Sequence, residues 1–471
     1  MEAPRWRRLL RGAKHSCLLS VGLAVALAVG TPRAALANGA FPDSEGILLP
    51  ADHPNQLLLA TNFGLFTSDD AGKTWAWSCE QNGVSDLASL YQMGPAPLNR
   101  LFAVSAHGLI HSDDSSCTWD TATGAVDQVL VTDYFPDPTD PMRILAVGLP
   151  DTTTQLDPAG IYRSLDGGAT FTGPLYVGSI QGSIVSVESA RSDPRIVYVA
   201  MYQTPGPHPG LVKSSDGGDT WADPLDVEPS IGPNLYRIIA IDPLDPRKIF
   251  LRVTEPTLES LAISEDGGVT FRKAVTFDLK ISAFARLPGG VILVAGVNIA
   301  GGGDMLPAGY RSTDGGQTFA PWRTGLMIRA LAVRDGLLYA AADNFKDGFA
   351  LGVSSDQGAN FKPMMTYDQA SSIKACVDQI CGESCQILAA QQLFPAAICV
   401  SADAGGEAGP APVPASSGCG CAVGSAAGRW TAAGALFLGA TFLRRRRRRN
   451  AARAGSPTLD RPETSMKGLA Q

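Results

Sequence analysis

Residues 214–221 read Ser-Ser-Asp-Gly-Gly-Asp-Thr-Trp, and this octapeptide decides the fold. Its pattern, Ser-x-Asp-x-Gly-x-Thr-aromatic, is that of a tight hairpin. A short Asp side chain accepts backbone N–H bonds of its own turn. Gly supplies a positive φ that other residues resist, Thr opens the outgoing strand, and the ring buries a large area against a neighbouring sheet. Full copies stand at Ser68-Asp70-Gly72-Thr74-Trp75, Ser164-Asp166-Gly168-Thr170-Phe171, Ser264-Asp266-Gly268-Thr270-Phe271 and Ser312-Asp314-Gly316-Thr318-Phe319. Two copies are degenerate: Ser116 replaces the glycine after Asp114, and Asn360 replaces the threonine after Asp356. Seven copies in all recur about every 48 residues. We expect these seven aspartates to be structural, not catalytic.

Upstream of most copies lie a hydrophobic strand, a proline turn and a second apolar strand. Ile238 to Ile241, then Asp242-Pro243-Leu244-Asp245-Pro246, then Lys248 to Val253 is one example. Each unit therefore reads strand A, turn, strand B, loop, strand C, box turn, strand D. Four short antiparallel strands per repeat match a propeller blade, and repeats of this length stack into closed or solenoidal arrays. The motif resembles the Asp-box (BNR) repeat over residues 41–366. That resemblance implies an all-β fold, a single seven-bladed β-propeller, with an open solenoid or two smaller propellers as the rivals. A ring hides sheet edges that an open array would leave unpaired.

The 471-residue chain is 45% hydrophobic, and its 51 glycines and 33 prolines make it turn-rich without making it disordered. Residues 38–428 hold 22 Lys and Arg against 42 Asp and Glu, a balance of -20. Such an acidic body repels phosphate backbones and excludes nucleic acid as a partner.

The ends carry an address. Arg5, Arg7, Arg8, Arg11 and Lys14 precede the apolar run Cys17 to Gly30, and Ala35-Leu36-Ala37 supplies a small-x-small cleavage site. Residues 1–37 read as a secretory signal, and the mature chain is expected to begin at Asn38. Residues 401–418 are a Gly/Pro/Ala/Ser linker. Cys419-Gly420-Cys421, an apolar stretch to Leu443 and the block Arg444 to Arg449 follow, with a tail over 450–471. This trio is similar to the myxobacterial MYXO-CTERM sorting signal (419–449). That resemblance implies a short transmembrane segment, processing near Cys419 and Cys421, and display on the cell surface. A plain single-pass anchor is the alternative, and the long tail departs from the usual signal.

Six cysteines remain between the two ends. Cys376, Cys381, Cys385 and Cys399 cluster after the last blade and read as two disulfides stapling a helical cap over 367–400. Cys79 and Cys117 are left over, either bridged to each other, which we expect, or both free. No histidine lies near the cluster, so no metal site is expected there.

Asp-box propellers include sialidases, which by resemblance would use three arginines, a Tyr–Glu pair and an acid Asp. The first arginine would lie in an Arg-Ile-Pro motif ahead of the first box, yet residues 38–72 contain no Arg or Lys. Arg100, Arg143, Arg195 and Arg247 fall beside the A–B turns, on the box side. Similarity also extends to xyloglucan-cleaving hydrolases, sortilin-type receptors and photosystem-stability propellers. The four histidines, His53, His107, His111 and His208, form no catalytic pattern. The expectation is a monomeric, non-enzymatic module that binds a protein or glycan on the B–C and D–A loop face. Asp151, Asp157, Tyr202, His208, Glu255, Asp304 and Asn344 are the candidate contacts. No cofactor is expected, although these carboxylates suit a calcium-bridged ligand. The alternatives are a glycoside hydrolase with a non-standard site and an envelope assembly factor.

Overall fold

A computed structural model describes residues 42–82, 89–105, 108–127, 129–150, 159–177, 183–203, 208–301 and 303–399. The signal, linker, sorting region and tail lie outside these residues, as do Asp151, Asp157 and His107. No described helix is long and apolar enough to cross a membrane.

The chain forms a seven-bladed β-propeller. Blade 1 has strands Ser44–Leu48, Leu57–Thr61, Gly64–Ser68 and Ala76–Ser78, each antiparallel to the one before. Blades 2 to 7 repeat this A–B–C–D order over 89–121, 129–177, 183–226, 235–277, 280–321 and 330–365. The A–B turns and the box turns share one rim, the box face, and the B–C and D–A loops share the other. Strands B are almost wholly buried, as in Leu57–Thr61 and Ile249–Thr254, because sheets pack on both of their faces.

The repeated turn is built as its residues dictate. In blade 4, Ser214 Oγ donates to Asp216 Oδ1 at 2.7 Å and accepts from Gly218 N–H at 2.7 Å. The Thr220 N–H and hydroxyl both donate to Asp216, at 2.9 and 2.5 Å. The degenerate turns keep this network. Asn360 donates through its backbone N–H at 2.9 Å and its side-chain amide at 2.8 Å to Asp356, so the amide does the hydroxyl's task. Ser116 takes up φ +79° and Ser115 φ +58°, so the second turn is held in the left-handed region without glycine.

Cations cross from one blade to the next box turn. Arg100 reaches the Gly167 carbonyl, Lys248 the Gly315 carbonyl at 2.5 Å, Arg272 the Gly316 carbonyl at 2.7 Å and Arg311 the Gln357 carbonyl at 2.9 Å. The left-handed turn swings these carbonyls outward, and each cation satisfies one. The box-face arginines Arg195 and Arg247 instead pair with Asp193 and Asp245 of their own turns.

Among the described residues each blade takes its four antiparallel strands from one continuous stretch of chain, and a strand from beyond blade 7 adds a fifth to blade 1. The chain leaving blade 7 runs to the outer edge of blade 1, where Ser372–Ile373 pairs in parallel with Ala76–Trp77. Thr123–Gly124, leaving blade 2, pairs in parallel with Thr170–Phe171 of blade 3 in the same way. Ring closure thus extends a device already used between consecutive blades. Arg334 of blade 7, 9% exposed, strengthens it by donating to the carbonyls of Pro50, His53, Pro54 and Gln56 in blade 1. Arg329 bridges Asp343 of blade 7 and Asp43 at the start of blade 1, at 3.2 and 2.9 Å. Phe63, Phe66, Trp77, Tyr367 and Phe394 fill the joint with ring contacts of 4.9–6.2 Å.

The cap contains the helix Asp378–Ala390 and the 3-10 turn Ala396–Cys399. Its disulfides correct the expected pairing. Only Cys385–Cys399 lies within the cap, while Cys381 is bonded to Cys79 of blade 1 and Cys376 to Cys117 of blade 2. Cys79 and Cys117 are not joined to each other. The cap lies over the edge where these blades meet and each thiol finds a cap partner instead, with Cα separations of 5.5 and 5.6 Å.

Candidate functional site

The innermost strands set the geometry of the central channel. Six of the seven carry a register break, between Ser44 and Gly46, Ser89 and Gln92, Val131 and Asp133, Ile184 and Ser186, Ile238 and Ala240, and Ile281 and Ala283. A bulge leaves backbone groups without ladder partners and re-aims side chains. Neighbouring blades capture the freed groups. Thr132 Oγ donates to the Ile184 carbonyl at 2.7 Å, Val187 N–H to Asp133 at 3.1 Å, Ile238 N–H to Ser186 Oγ at 3.0 Å and Ile281 N–H to Glu259 at 2.7 Å. The inner girdle is laced from blade to blade.

A charged cluster sits in this girdle. Arg237 of blade 5 reaches past blade 4 to Asp133 of blade 3 at 3.3 Å and to the Thr132 carbonyl at 3.4 Å. Burial pushes the Asp133 carboxyl up to about 6 against the opposing pull of Arg237. Glu188 of blade 4 retains partial solvent contact but is enclosed by protein, and burial followed by the charge of Asp133 pushes it up to about 8. The two carboxyls therefore interact, and each favours its protonated form more than an exposed carboxyl does. Arg252 is the cross-strand partner of Arg237, so two arginines stand on one face of blade 5. Arg252 lies 3.9 Å from Glu259, and its buried Nε has no hydrogen-bond partner. Like charges directly opposite each other cost stability unless an anion lies between or beside them. Among the described residues no group of three or more His, Cys, Asp or Glu is arranged to hold a metal ion.

The expected loop-face residues do not converge. Tyr202 is 6% exposed and is core, with its ring against Tyr236 and its hydroxyl donating to the Tyr236 carbonyl at 3.2 Å. His208 is exposed and 2.9 Å from Glu228 in the linker to blade 5. Glu255 pairs with Lys273 at 2.5 Å, and Asn344 accepts from the Tyr367 N–H at 3.1 Å. Asp304 is exposed at the B–C loop of blade 6. His111 is buried with its Nδ1 unpartnered, and burial lowers its pKa. Sequence reasoning missed Asp133, Glu188, Arg237 and Arg252. Their one signal was a charge at an interior position of an otherwise apolar A or B strand.

No protein-family model matches the sequence, and no curated protein does. Solved structures similar to it include an ancestral GH74 enzyme, at 13% identity and TM-score 0.42, covering 71% of this chain and 56% of that one. YCF48 from Cyanidioschyzon merolae is 16% identical with TM-score 0.43, covering 65% of this chain and 94% of that one. A Hadza microbial sialidase is 12% identical with TM-score 0.34, covering 60% and 70%. The chain thus spans just over half the length of the ancestral GH74 enzyme.

Proposed function

We propose that this chain is an exported β-propeller, anchored at the cell surface, that acts as a non-catalytic binding module for a protein or a glycan. The observation that carries this reading is the cross-linking of the ring. Its inner strands are laced to one another, and two long-range disulfides tie the closing segment to blades 1 and 2. A preset surface loses little entropy on binding, and three disulfides suit an oxidising compartment. Display would follow from processing near Cys419 and Cys421. Asp304, exposed on the loop face, and Asp151 and Asp157, which lie outside the described residues, remain contacts in this proposal, with calcium as a bridging ion.

A second reading, a glycoside hydrolase, is favoured by one observation. Asp133 and Glu188 are interacting carboxyls of raised pKa, the property an acid–base pair needs. The deciding experiment presents the purified protein to a glycan array and to fluorogenic glycosides. Binding without turnover supports the module. Turnover lost in both Asp133→Asn and Glu188→Gln overturns it in favour of the hydrolase. Recovery of the mature protein from the surface fraction, ending near Cys419, tests the address.

A further inference from the structure

Blade 6 departs from its neighbours at its outer edge. In blade 5, strand D (Arg272–Phe277) covers strand C from Glu259 to Ile263. In blade 6, strand C is longer, Met305–Ser312, but strand D is only Ala320–Pro321 and pairs with Tyr310 and Arg311. One more bond follows, from Trp322 N–H to the Gly309 carbonyl at 2.8 Å, and then the chain turns away. A groove of about 420 Å³ opens where that chain departs, reaching Pro307 and Ala308 of the uncovered half of strand C and Asn298 of strand B. Pro307 to Tyr310 form one wall and Pro321 to Gly325 the other.

The groove has the form of a missing strand. Among the described residues, 305–308 have no strand partner on the outer side, a length of roughly 13 Å. Because the Gly309 carbonyl faces outward, alternation turns the backbone groups of Pro307 and Met305 outward as well. Met305 offers an N–H and a carbonyl, and Pro307 offers a carbonyl but no N–H. Proline thereby limits pairing to a short register and prevents indiscriminate edge-to-edge association. Apolar surface borders the site, with Ile299, Met305 and Leu306 exposed at 44%, 50% and 47%. Arg323 is the charged residue of the lining, exposed, with no ion pair or hydrogen bond among the described residues.

We propose that this edge docks an extended peptide of a partner protein by strand addition, with apolar side chains against Tyr310 and Pro321 and a carboxylate on Arg323. Backbone pairing supplies the affinity, and the arginine supplies the preference for an acidic partner. The proposal rests on the binding-module reading and names the site and the chemistry of its protein ligand.

The test uses the full-length protein and a fluorescein-labelled peptide, Glu-Val-Thr-Val-Thr-Glu, with a control in which both Glu are Lys. We expect saturable binding of the acidic peptide, about tenfold tighter than the control. Met305→Pro, which deletes the outward N–H, is expected to weaken binding about tenfold without moving the thermal midpoint. Arg323→Glu is expected to reverse the preference. Absence of saturable binding, or binding indifferent to both changes, overturns the proposal. So does glycan capture in this groove that Tyr310→Ala abolishes and Met305→Pro spares. Ligand capture elsewhere on the ring that survives Met305→Pro would sink the edge while leaving the binding-module reading intact.

Discussion

Cys117, in the box turn that lacks its glycine, is disulfide-bonded to Cys376, 259 residues later and beyond the last blade. The same turn receives Lys374 on its Ser115 carbonyl and Asn82 on its Ser116 carbonyl, and the Ser116 and Ser78 hydroxyls lie 2.8 Å apart. The irregular repeat is therefore the place where the closing segment docks. Serine, unlike glycine, brings a hydroxyl to that joint.

Opening this bond should loosen the closure before the blades themselves. By chain entropy alone, closing a loop of this length is worth on the order of 5–6 kcal/mol. The Cys117→Ser/Cys376→Ser protein should unfold at markedly lower denaturant. Hydrogen exchange in 372–377 and 76–78 should rise while the amides of Ile249–Thr254 stay protected. Uniform loss of protection across all blades would contradict a role of this bond confined to the closure.

Arg334 should matter far more than its neighbours in charge. Arg334→Ala removes the guanidinium donor from four blade 1 carbonyls, of which that of His53 keeps the Gln56 N–H, at a cost of about 2–4 kcal/mol. Arg195, whose side chain is 74% exposed and pairs with Asp193 of its own turn, should change stability by less than about 0.5 kcal/mol when replaced by Ala. Urea titration of the two variants side by side checks the contrast.

The box glycine is a fixed position wherever the preceding blade approaches it. Gly168 sits at φ +91°, and a Cβ there would come within 2.6 Å of the Phe102 ring in blade 2. Gly168→Ala should cost about 1–3 kcal/mol, from strain and displacement together. Asn360→Thr should be nearly neutral, because either side chain can donate to Asp356. Thermal midpoints of the two variants decide this.

Stability should depend on pH in two windows of opposite sign. In the box turns, Asp70 and Asp356 are held down at about 2 by bonds from Thr74 and Asn360, first among their partners. Their contribution is present above the ordinary aspartate value of 3.8 and is lost as pH falls towards 2. Glu188 behaves inversely, since its value is raised from 4.5 to about 8. Its favourable protonated state is fully available below 4.5, and stability declines as pH rises from there to about 8, by up to about 1.4 kcal/mol per pH unit. Glu188→Gln should flatten the decline between pH 5 and 8. An unchanged slope in chemical denaturation across that range would show that Glu188 is not its source.

The sequence by itself determined the repeat, the number of blades and the local pattern of the turn between strands C and D. Each of these rests on contacts within a few residues, such as Thr220 to Asp216, or on a pattern repeated seven times, so local residues suffice to specify it. Tertiary structure alone decided the disulfide partners, the closure through Ser372–Ile373 and the meeting of Asp133 with Arg237 across an intervening blade. Tyr202 shows the limit most directly. Its loop position suggested a ligand contact, but the inter-blade packing buries its ring against Tyr236. Which blades become neighbours, and which side chains the bulged inner strands aim into the channel, is fixed only when the ring closes and every blade buries its faces against the next.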